Sequence, residues 1–171
     1  DAFWAESLLH GLFLFALADT TDKADADEAY TVGLLRFIGR LAIDRLMQEH
    51  GEPRPATLSF SAWEETHVGF IQAHAGALLL SKWQFSENII QAVANQDRPD
   101  RLATPIWLAS AMRFASQVLP SGGALSDAQP DLADLAHADG GFMMENGLTL
   151  DAVGTLLATT RKTFSQVRAV F

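Results

Sequence analysis

Apolar residues recur at helical spacing in the N-terminal half of the chain. In one run they stand three or four positions apart, as on the buried face of a helix, at Tyr30, Leu34, Leu35, Ile38, Leu41 and Ala42. The pattern predicts one continuous central helix that starts at Asp25 or Asp27 and ends near His50. Gly33 and Gly39 lie inside this helix. Because glycine destabilises a helix by roughly 1 kcal/mol relative to alanine, they indicate close backbone packing or a tight site.

The same spacing predicts helices along the rest of the chain. They are expected from Phe3 to about Ala18, from Ala62 after a capping box at Ser61–Glu64, over Ile71–Trp83, after a cap at Ser86, from Thr104-Pro105 to Leu119, near 131–137, and from Thr149 to Phe171. In the helix over 71–83, the predicted core positions are Ile71, Ala75, Leu78, Leu79 and Trp83. No alternating strand pattern competes, so the predicted fold class is all-α. Residues 120–130 are rich in Ser, Gly, Asp and Pro, which predicts a flexible loop.

Composition narrows the class of protein. The length of 171 residues predicts a single domain over 1–171. The absence of cysteine excludes disulfides, thiolate catalysis and cysteine-ligated zinc. The formal charge of −9, without a cluster of Lys and Arg, argues against a nucleic-acid partner. The most apolar run, Leu8–Ala18, is shorter than the roughly 20 residues that span a bilayer and lacks the basic flank of a signal peptide. We therefore expect a cytoplasmic protein without a membrane partner.

The histidines are interpreted as structural residues. His67 and His74 are two helical turns apart with Gly69 between them. Metal-binding pairs on a helix are usually three or four residues apart, so we expect two surface or hydrogen-bonded side chains. His10 lies in an apolar helix, and we expect it to be a hydrogen-bonded core residue.

Acidic and aromatic segments also have structural interpretations. The acidic stretch Asp19–Glu28 predicts a solvated loop, because it lacks the ligand spacing and the turn glycine of a calcium loop. Glu64 and Glu65 are interpreted as the first turn of a helix. The segment Phe142-Met143-Met144 is interpreted as core, with a cover over a groove or a contact for a partner helix as the alternative.

Several short motifs occur in a fixed order along the chain. They are Phe3-Trp4-Ala5-Glu6-Ser7, Val32-Gly33-Leu34-Leu35-Arg36-Phe37-Ile38-Gly39, Glu65 with Gly69, Gly76-Ala77 with Leu79-Leu80 and Trp83, Ile89-Ile90 with Ala92-Val93 and Pro99, and Leu108-Ala109-Ser110. At these spacings the set resembles the HDOD family, the non-hydrolytic relatives of the HD-domain metal phosphohydrolases. The resemblance implies a multi-helix bundle of the HD-domain type, best matched over 1–119. It also implies that the N-terminal helical half, which family members usually carry before the Phe-Trp position, is absent.

The resemblance also identifies the residues that replace the metal ligands of the larger superfamily. In the family the central helix usually reads Ala-Gly-Leu-Leu-His-Asp-Ile-Gly, so Arg36 and Phe37 stand at the metal-binding His-Asp pair. The remaining ligand positions carry over to Glu6, Gln72, Gln96, Asp97 and Ser110. A fixed positive charge about 4 Å from a divalent ion is unfavourable by roughly 8 kcal/mol at an effective dielectric constant near 20. Phe37 has no lone pair to donate. We therefore expect no catalytic residue, no metal and no cofactor.

The resemblance implies a non-catalytic module of bacterial signal transduction, in a two-component or cyclic-dinucleotide pathway. We expect it to bind either a small ligand or a protein partner, with a domain of the same polypeptide and a second copy of the chain as candidates. The vestigial pocket would be lined by Glu6, Arg36, Phe37, Gln72, Gln96, Asp97 and Ser110. Arg36 is expected to pair internally with Glu6, and a bound phosphate or carboxylate is the alternative.

An enzyme is the competing hypothesis. It would be a metal-dependent phosphohydrolase or phosphodiesterase with a rearranged metal site built from Glu6, Asp97 and the remaining histidines. Metal content and phosphodiesterase turnover separate the two hypotheses. A third hypothesis is a structural half of a larger domain, which exposed apolar surface on the isolated chain would favour. Fold resemblance alone does not decide function.

Overall fold

The computed structural model describes residues 2–50, 60–119 and 140–169. Within these ranges the regular secondary structure is helical, which confirms the all-α prediction. The helices are α1 (Ala2–Thr21), α2 (Ala26–Leu35), α3 (Ile38–His50), α4 (Phe60–His67), α5 (Gln72–Lys82), α6 (Glu87–Ala94), α7 (Trp107–Val118), α8 (residues 140–145) and α9 (Leu150–Arg168), with a 3₁₀ turn at Pro99–Arg101. The loop predicted at 120–130 and the helix predicted near 131–137 lie outside the described residues.

Side-chain caps fix the start of three helices where the sequence predicts them. The carboxylate of Asp25 accepts a hydrogen bond from the backbone N–H of Glu28 at 2.8 Å, at the start of α2. The Ser86 hydroxyl caps α6 and the Thr149 hydroxyl caps α9 in the same way. Each cap satisfies a backbone donor that has no partner inside its helix.

Other helix ends differ from the prediction. The helix α4 begins at Phe60, so Ser61 lies inside it and is not its cap. The helix α7 begins at Trp107 with Ile106 as the N-cap, two residues later than the Thr104-Pro105 signal. Both Ile106 and Trp107 pack against the main core, and the Trp107 Nε1–H donates to Asn146 Oδ1 at 2.7 Å. Tertiary contacts thus override the local start signal.

The predicted central helix is wrong as one continuous element, because it breaks at Arg36 and Phe37 into α2 and α3. The backbone N–H of Arg40 donates to the carbonyl of Phe37 rather than to that of Arg36. The Arg36 carbonyl accepts a hydrogen bond from Gln96 Nε2 at 3.0 Å instead. The break shifts the helical phase, so Ile43 is buried whereas Leu41, a predicted core residue, is 44% exposed.

The helix α1 runs through the centre of the fold and packs against α2, α7 and α9. Its residues Phe13, Leu14 and Leu17 are fully buried. The main core gathers around them with apolar side chains from α2, α5, α6, α7 and α9. Phe142 and Met143 join this core as predicted, whereas the neighbouring Met144 is 80% exposed.

Glycines bring the backbones of two helix pairs into contact, which confirms the close packing predicted from Gly33 and Gly39. A Cβ atom on Gly33 would lie 2.6 Å from the Cα atom of Gly11, where α2 crosses α1. A Cβ atom on Gly39 would collide with the carbonyl oxygen of Gln72 and lie 2.6 Å from the backbone N of Gly76, where α3 crosses α5. These two crossings lie on either side of the break between α2 and α3.

The buried face of α5 differs in part from the prediction, since Ala75 is buried as expected but other predicted positions are not. Leu78 and Trp83, expected in the core, are 61% and 54% exposed. The face that packs inward carries Ala73, Gly76 and Leu80, because the glycine must meet α3. In the described part of the chain, no helix combines the length and the apolar character needed to cross a membrane.

Candidate functional site

Arg36 occupies the break between α2 and α3, and its side chain is buried at 4% exposure. One guanidinium nitrogen, Nη1, donates to the carbonyl oxygen of Met112 at 3.3 Å, while Nε has no hydrogen-bond partner. Burial lowers the pKa of Arg36 to about 10, and the negative charges of Asp97 and Glu6 oppose this shift. Arg36 therefore stays charged at neutral pH inside the protein.

Phe37 provides an aromatic surface for two cations. The Cζ atom of Arg36 lies 4.5 Å from the centroid of the Phe37 ring, and that of Arg40 lies 4.3 Å from it. The ring of His10 meets the same phenyl group edge-on at 5.4 Å. Cations are attracted to the negative face of an aromatic ring, and the attraction grows when water is excluded. The ring thus helps to hold two like charges close together.

Glu6 forms its ion pair with Arg40, at 3.9 Å, rather than with Arg36. The expected internal pair between Glu6 and Arg36 is therefore corrected. The reason is the break after α2, which turns Arg36 toward α7 and lets the first turn of α3 present Arg40 to α1. Glu6 and Asp97 still act on Arg36 through their electrostatic field.

The two glutamines that we expect at ligand positions of the superfamily, Gln72 and Gln96, are both buried. Gln96 uses its amide N–H groups on the carbonyls of Arg36 and Val93, each at 3.0 Å, while its Oε1 has no partner. Gln72 begins α5, and its backbone N–H donates to Glu64 Oε2 at 2.8 Å. The side-chain Oε1 of Gln72 also has no partner. Gln96 therefore supports the backbone that carries Arg36.

Glu64 belongs to this region, although the sequence suggested only a helix first turn. Its side chain is buried at 2% exposure and caps the start of α5 through the N–H of Gln72. Burial raises the pKa of Glu64, and the hydrogen bond from Gln72 works against that rise. The sequence feature that could have indicated its burial is its position next to Trp63 and one turn before Val68, because Trp63 and Val68 belong to the same apolar cluster.

His10 is a buried, hydrogen-bonded core residue, as predicted. Its Nδ1–H donates to the carbonyl of Glu6 at 2.8 Å, and Nε2 has no partner. Burial, aided by the charge of Arg36, lowers the pKa of His10 to about 3. Its contact with Phe37 makes it part of the site. The exposed His67 bonds the carbonyl of Trp63 at 3.0 Å, which confirms its structural interpretation.

A cavity of about 570 Å³ opens beside these buried groups. It lies between α4, α5, α6 and the 3₁₀ turn and is lined by Glu65, Gly69, Phe70, Ile71, His74, Ala94, Asn95, Asp97, Arg98 and Arg101. Among the predicted site residues, Asp97 lines this cavity, whereas Arg36, Gln72 and Gln96 lie buried. Ser110 is partly buried on α7, and the α7 group that contacts Arg36 is the carbonyl of Met112.

The side chains at this site do not fit a divalent metal. The guanidinium of Arg36 offers only N–H donors, and the ring of Phe37 offers no lone pair. The amide N–H groups of Gln96 are bound to backbone carbonyls, and Glu6 pairs with Arg40. Among the described residues, no group of three or more His, Cys, Asp or Glu side chains is placed to hold a metal ion.

The fold is a helical bundle of the HD type, and the buried Arg36 and Phe37 lie at the break between α2 and α3, where we expect the metal-binding pair of the superfamily. The chain belongs to the HDOD domain family, whose sequence profile matches residues 1–99. No curated protein matches the chain.

Three solved structures are similar to this fold. A "Putative signal transduction protein" from Marinobacter aquaeolei VT8 has a TM-score of 0.77 at 20% identity, over 98% of this chain and 38% of that one. An HDOD domain protein with unknown function from Geobacter sulfurreducens has a TM-score of 0.69 at 18% identity, over 95% and 60%. A "Putative phosphohydrolase" from Shewanella amazonensis SB2B has a TM-score of 0.66 at 20% identity, over 95% and 60%. This chain thus spans less than two thirds of each.

Proposed function

We propose that this chain is a non-catalytic module of cytoplasmic signal transduction in bacteria, which binds a protein partner or a small ligand beside its degenerate metal site. The observation that carries the proposal is the buried Arg36 guanidinium over the ring of Phe37. These two side chains replace the pair that would coordinate a metal in the HD superfamily. Without a coordinated cation, an HD-type site has no means to activate water for phosphate hydrolysis.

The charges around Arg36 support this proposal. In an HD hydrolase the carboxylates of the site balance the charge of a divalent cation. Here Glu6 forms an ion pair with Arg40, and the negative charges of Glu6 and Asp97 also act on Arg36. The two guanidinium groups thus supply positive charge from the protein itself. A second cation at the same place would meet strong repulsion.

The cavity at the 3₁₀ turn is the surface we propose for the partner. Its rim combines the acidic Glu65 and Asp97 with the basic Arg98 and Arg101. Such a mixed rim favours a polar partner that presents charges of both signs. The name of the Marinobacter aquaeolei protein supports a signalling context, and a domain of the same polypeptide is our first candidate for the partner.

A metal-dependent phosphohydrolase remains the competing function, and the name of the Shewanella amazonensis protein favours it. In that case Glu6, Asp97 and nearby histidines would hold a rearranged metal site. The buried His10 has a free Nε2, but it faces Phe37 and two arginines. The positive charge of these arginines opposes metal binding there.

Metal analysis and an activity assay test the proposal together. The protein is produced in medium with added iron, manganese and zinc, and its metal content is measured by mass spectrometry. Hydrolysis of bis(p-nitrophenyl) phosphate is then assayed with each metal. We expect less than one bound metal ion per wild-type chain. We also expect the wild-type chain to hydrolyse the substrate no faster than a metal-free R36H/F37D variant, which restores the His-Asp pair of the superfamily but has no metal bound. Stoichiometric metal together with turnover by the wild-type chain would reject the proposal.

A further inference from the structure

A second cavity, of about 580 Å³, lies in a groove between α1, α2 and α9. Among its lining residues are Leu12, Phe15, Asp19, Asp27, Tyr30 and Thr160. No lining residue belongs to the site around Arg36. Along α1, Asp19 is about 20 Å from Glu6 at the usual rise per residue, so the groove is a separate site. Its volume is in the range of pockets that hold small organic molecules.

One buried hydroxyl group in this groove, that of Thr160, has no hydrogen-bond partner. Thr20 and Thr155 also line the cavity, but their hydroxyls donate to carbonyls of their own helices at 2.7 Å and 2.9 Å. Thr160 is buried at 2% exposure, and its Oγ1 makes no hydrogen bond to the protein. A buried polar group without a partner destabilises a fold, so such a group at a cavity indicates a place for a polar ligand atom.

The charges of the groove are negative. Asp19 and Asp27 line it, and no Lys or Arg does. Asp19 lies in the last turn of α1, and this turn contains no basic residue. A carboxylate at the negative end of a helix dipole is unfavourable for folding, and it strengthens the attraction for a cation. The ring of Tyr30 adds an aromatic face of the kind that attracts ammonium groups.

We propose that this groove binds a small organic cation, namely a protonated amine attached to an apolar body. The body packs on Leu12 and Phe15, and the ammonium group pairs with Asp19 and Asp27. The hydroxyl of Thr160, which is buried in the wall of the groove, accepts a hydrogen bond from the ligand after its side chain rotates toward the groove. This proposal goes beyond the function proposed above and does not depend on it, because the two sites share no residue.

Three matched probes test the charge requirement. Binding of 4-phenylbutylamine, 4-phenylbutanol and 4-phenylbutyrate to the full chain is measured by titration with NMR detection of backbone amides. We expect saturable binding of the amine, with shifts on α1, α2 and α9, weaker binding of the alcohol and weakest binding of the acid. Equal affinity for all three probes, or shifts confined to other helices, would overturn the proposal.

Variants test the residues. The D19N/D27N variant removes both carboxylates and should weaken binding of the amine by at least about tenfold, the effect of losing a single charge-assisted hydrogen bond, and leave the alcohol unchanged. The T160V variant should weaken binding of the amine while raising the melting temperature, because it removes an unpartnered buried hydroxyl. E145Q, an exposed change on α8, is the control and should match the wild type. If T160V raises the melting temperature but leaves binding unchanged, or if D19N/D27N binds the amine normally, the proposal is wrong.

Discussion

Arg36 is a charged residue in an environment that disfavours charge, since burial lowers its pKa to about 10. Buried charged groups can often be replaced by apolar residues of similar size with a gain in stability. Two carboxylates, Asp97 and Glu6, act on Arg36 through their charges, and Glu6 keeps its ion pair with Arg40.

The variant R36M should therefore stabilise the protein by about 1–3 kcal/mol, because it keeps the side-chain volume and removes the desolvated charge. The free energy of unfolding in urea is the measurement. The control is R113M, which breaks an exposed ion pair between Arg113 and Asp100 and should change stability by less than about 1 kcal/mol. Destabilisation of R36M beyond that of the control would show that Arg36 is needed for folding.

His10 predicts a pH dependence of stability. Its pKa is about 3 in the folded protein, against 6.5 for a histidine exposed to water, so the unfolded chain binds more protons between these values. The contribution of His10 to stability should be complete above pH 6.5 and should be lost as the pH drops toward 3, by up to about 1.4 kcal/mol per pH unit. Urea unfolding at several pH values measures this slope.

The variant H10N isolates the contribution of His10, because asparagine keeps a donor for the Glu6 carbonyl but does not titrate. Its slope over the same range should be smaller than that of the wild type. Glu64 acts with the opposite sign, since a raised pKa makes stability fall as the pH rises above 4.5. Equal slopes for H10N and the wild type would contradict the assignment.

At the scale of the helices, two glycine crossings determine how α1, α2, α3 and α5 approach each other. Where a Cβ atom on Gly39 would lie, the backbone atoms of α5 are already in contact with the glycine. Backbone atoms cannot move aside as the end of a flexible side chain can. The variant G39A should therefore destabilise the protein by about 1–3 kcal/mol or more, as overpacking does. The measurement is the midpoint and slope of urea unfolding.

Gly141 offers the matched control for this substitution. It is exposed in α8, and a Cβ atom added there has no neighbour within 4 Å. The variant G141A should therefore be neutral or stabilise the protein by about 1 kcal/mol, through the helix propensity of alanine. If G39A and G141A had the same effect on stability, close packing at the α3–α5 crossing would not be the reason for Gly39.

Local signals in the sequence predicted the described helices and the caps at Asp25, Ser86 and Thr149, but not the starts of α4 and α7 or the break at Arg36 and Phe37. Asp25, Ser86 and Thr149 act within three residues of themselves, so their roles can be read from neighbouring positions. The break depends on Gln96, which lies 60 residues away from Arg36 along the chain. A pattern of neighbouring residues cannot predict this hydrogen bond between Gln96 and Arg36. The rotated face of α5, with Leu78 exposed, likewise follows from the distant crossing with α3.

The candidate site shows the same limit. The family frame placed Arg36, Phe37 and Gln96 together, and the structure joins them through the Arg36 carbonyl and the Phe37 ring. The partner of Glu6 could not be foreseen, because Arg40 reaches it only after the break turns α3. Thr160 gave no signal in the sequence, since its missing hydrogen bond is a property of packing.

At the scale of the whole molecule, this chain keeps the HD-type helical frame, and it buries the guanidinium of Arg36 where we expect the metal position of that frame. The chain covers 38% of the Marinobacter aquaeolei protein and 60% of each of the other two similar structures. We expect a frame of this kind to work as a module within a larger assembly, where the surface beside Asp97 meets its partner.

A crystal structure determined after growth in manganese, with an anomalous difference map, tests the central claim most directly. We predict the guanidinium of Arg36 over the ring of Phe37 and no anomalous peak within coordination distance of Glu6 or Asp97. A manganese peak ligated by either carboxylate, with Arg36 displaced from the ring, would contradict it.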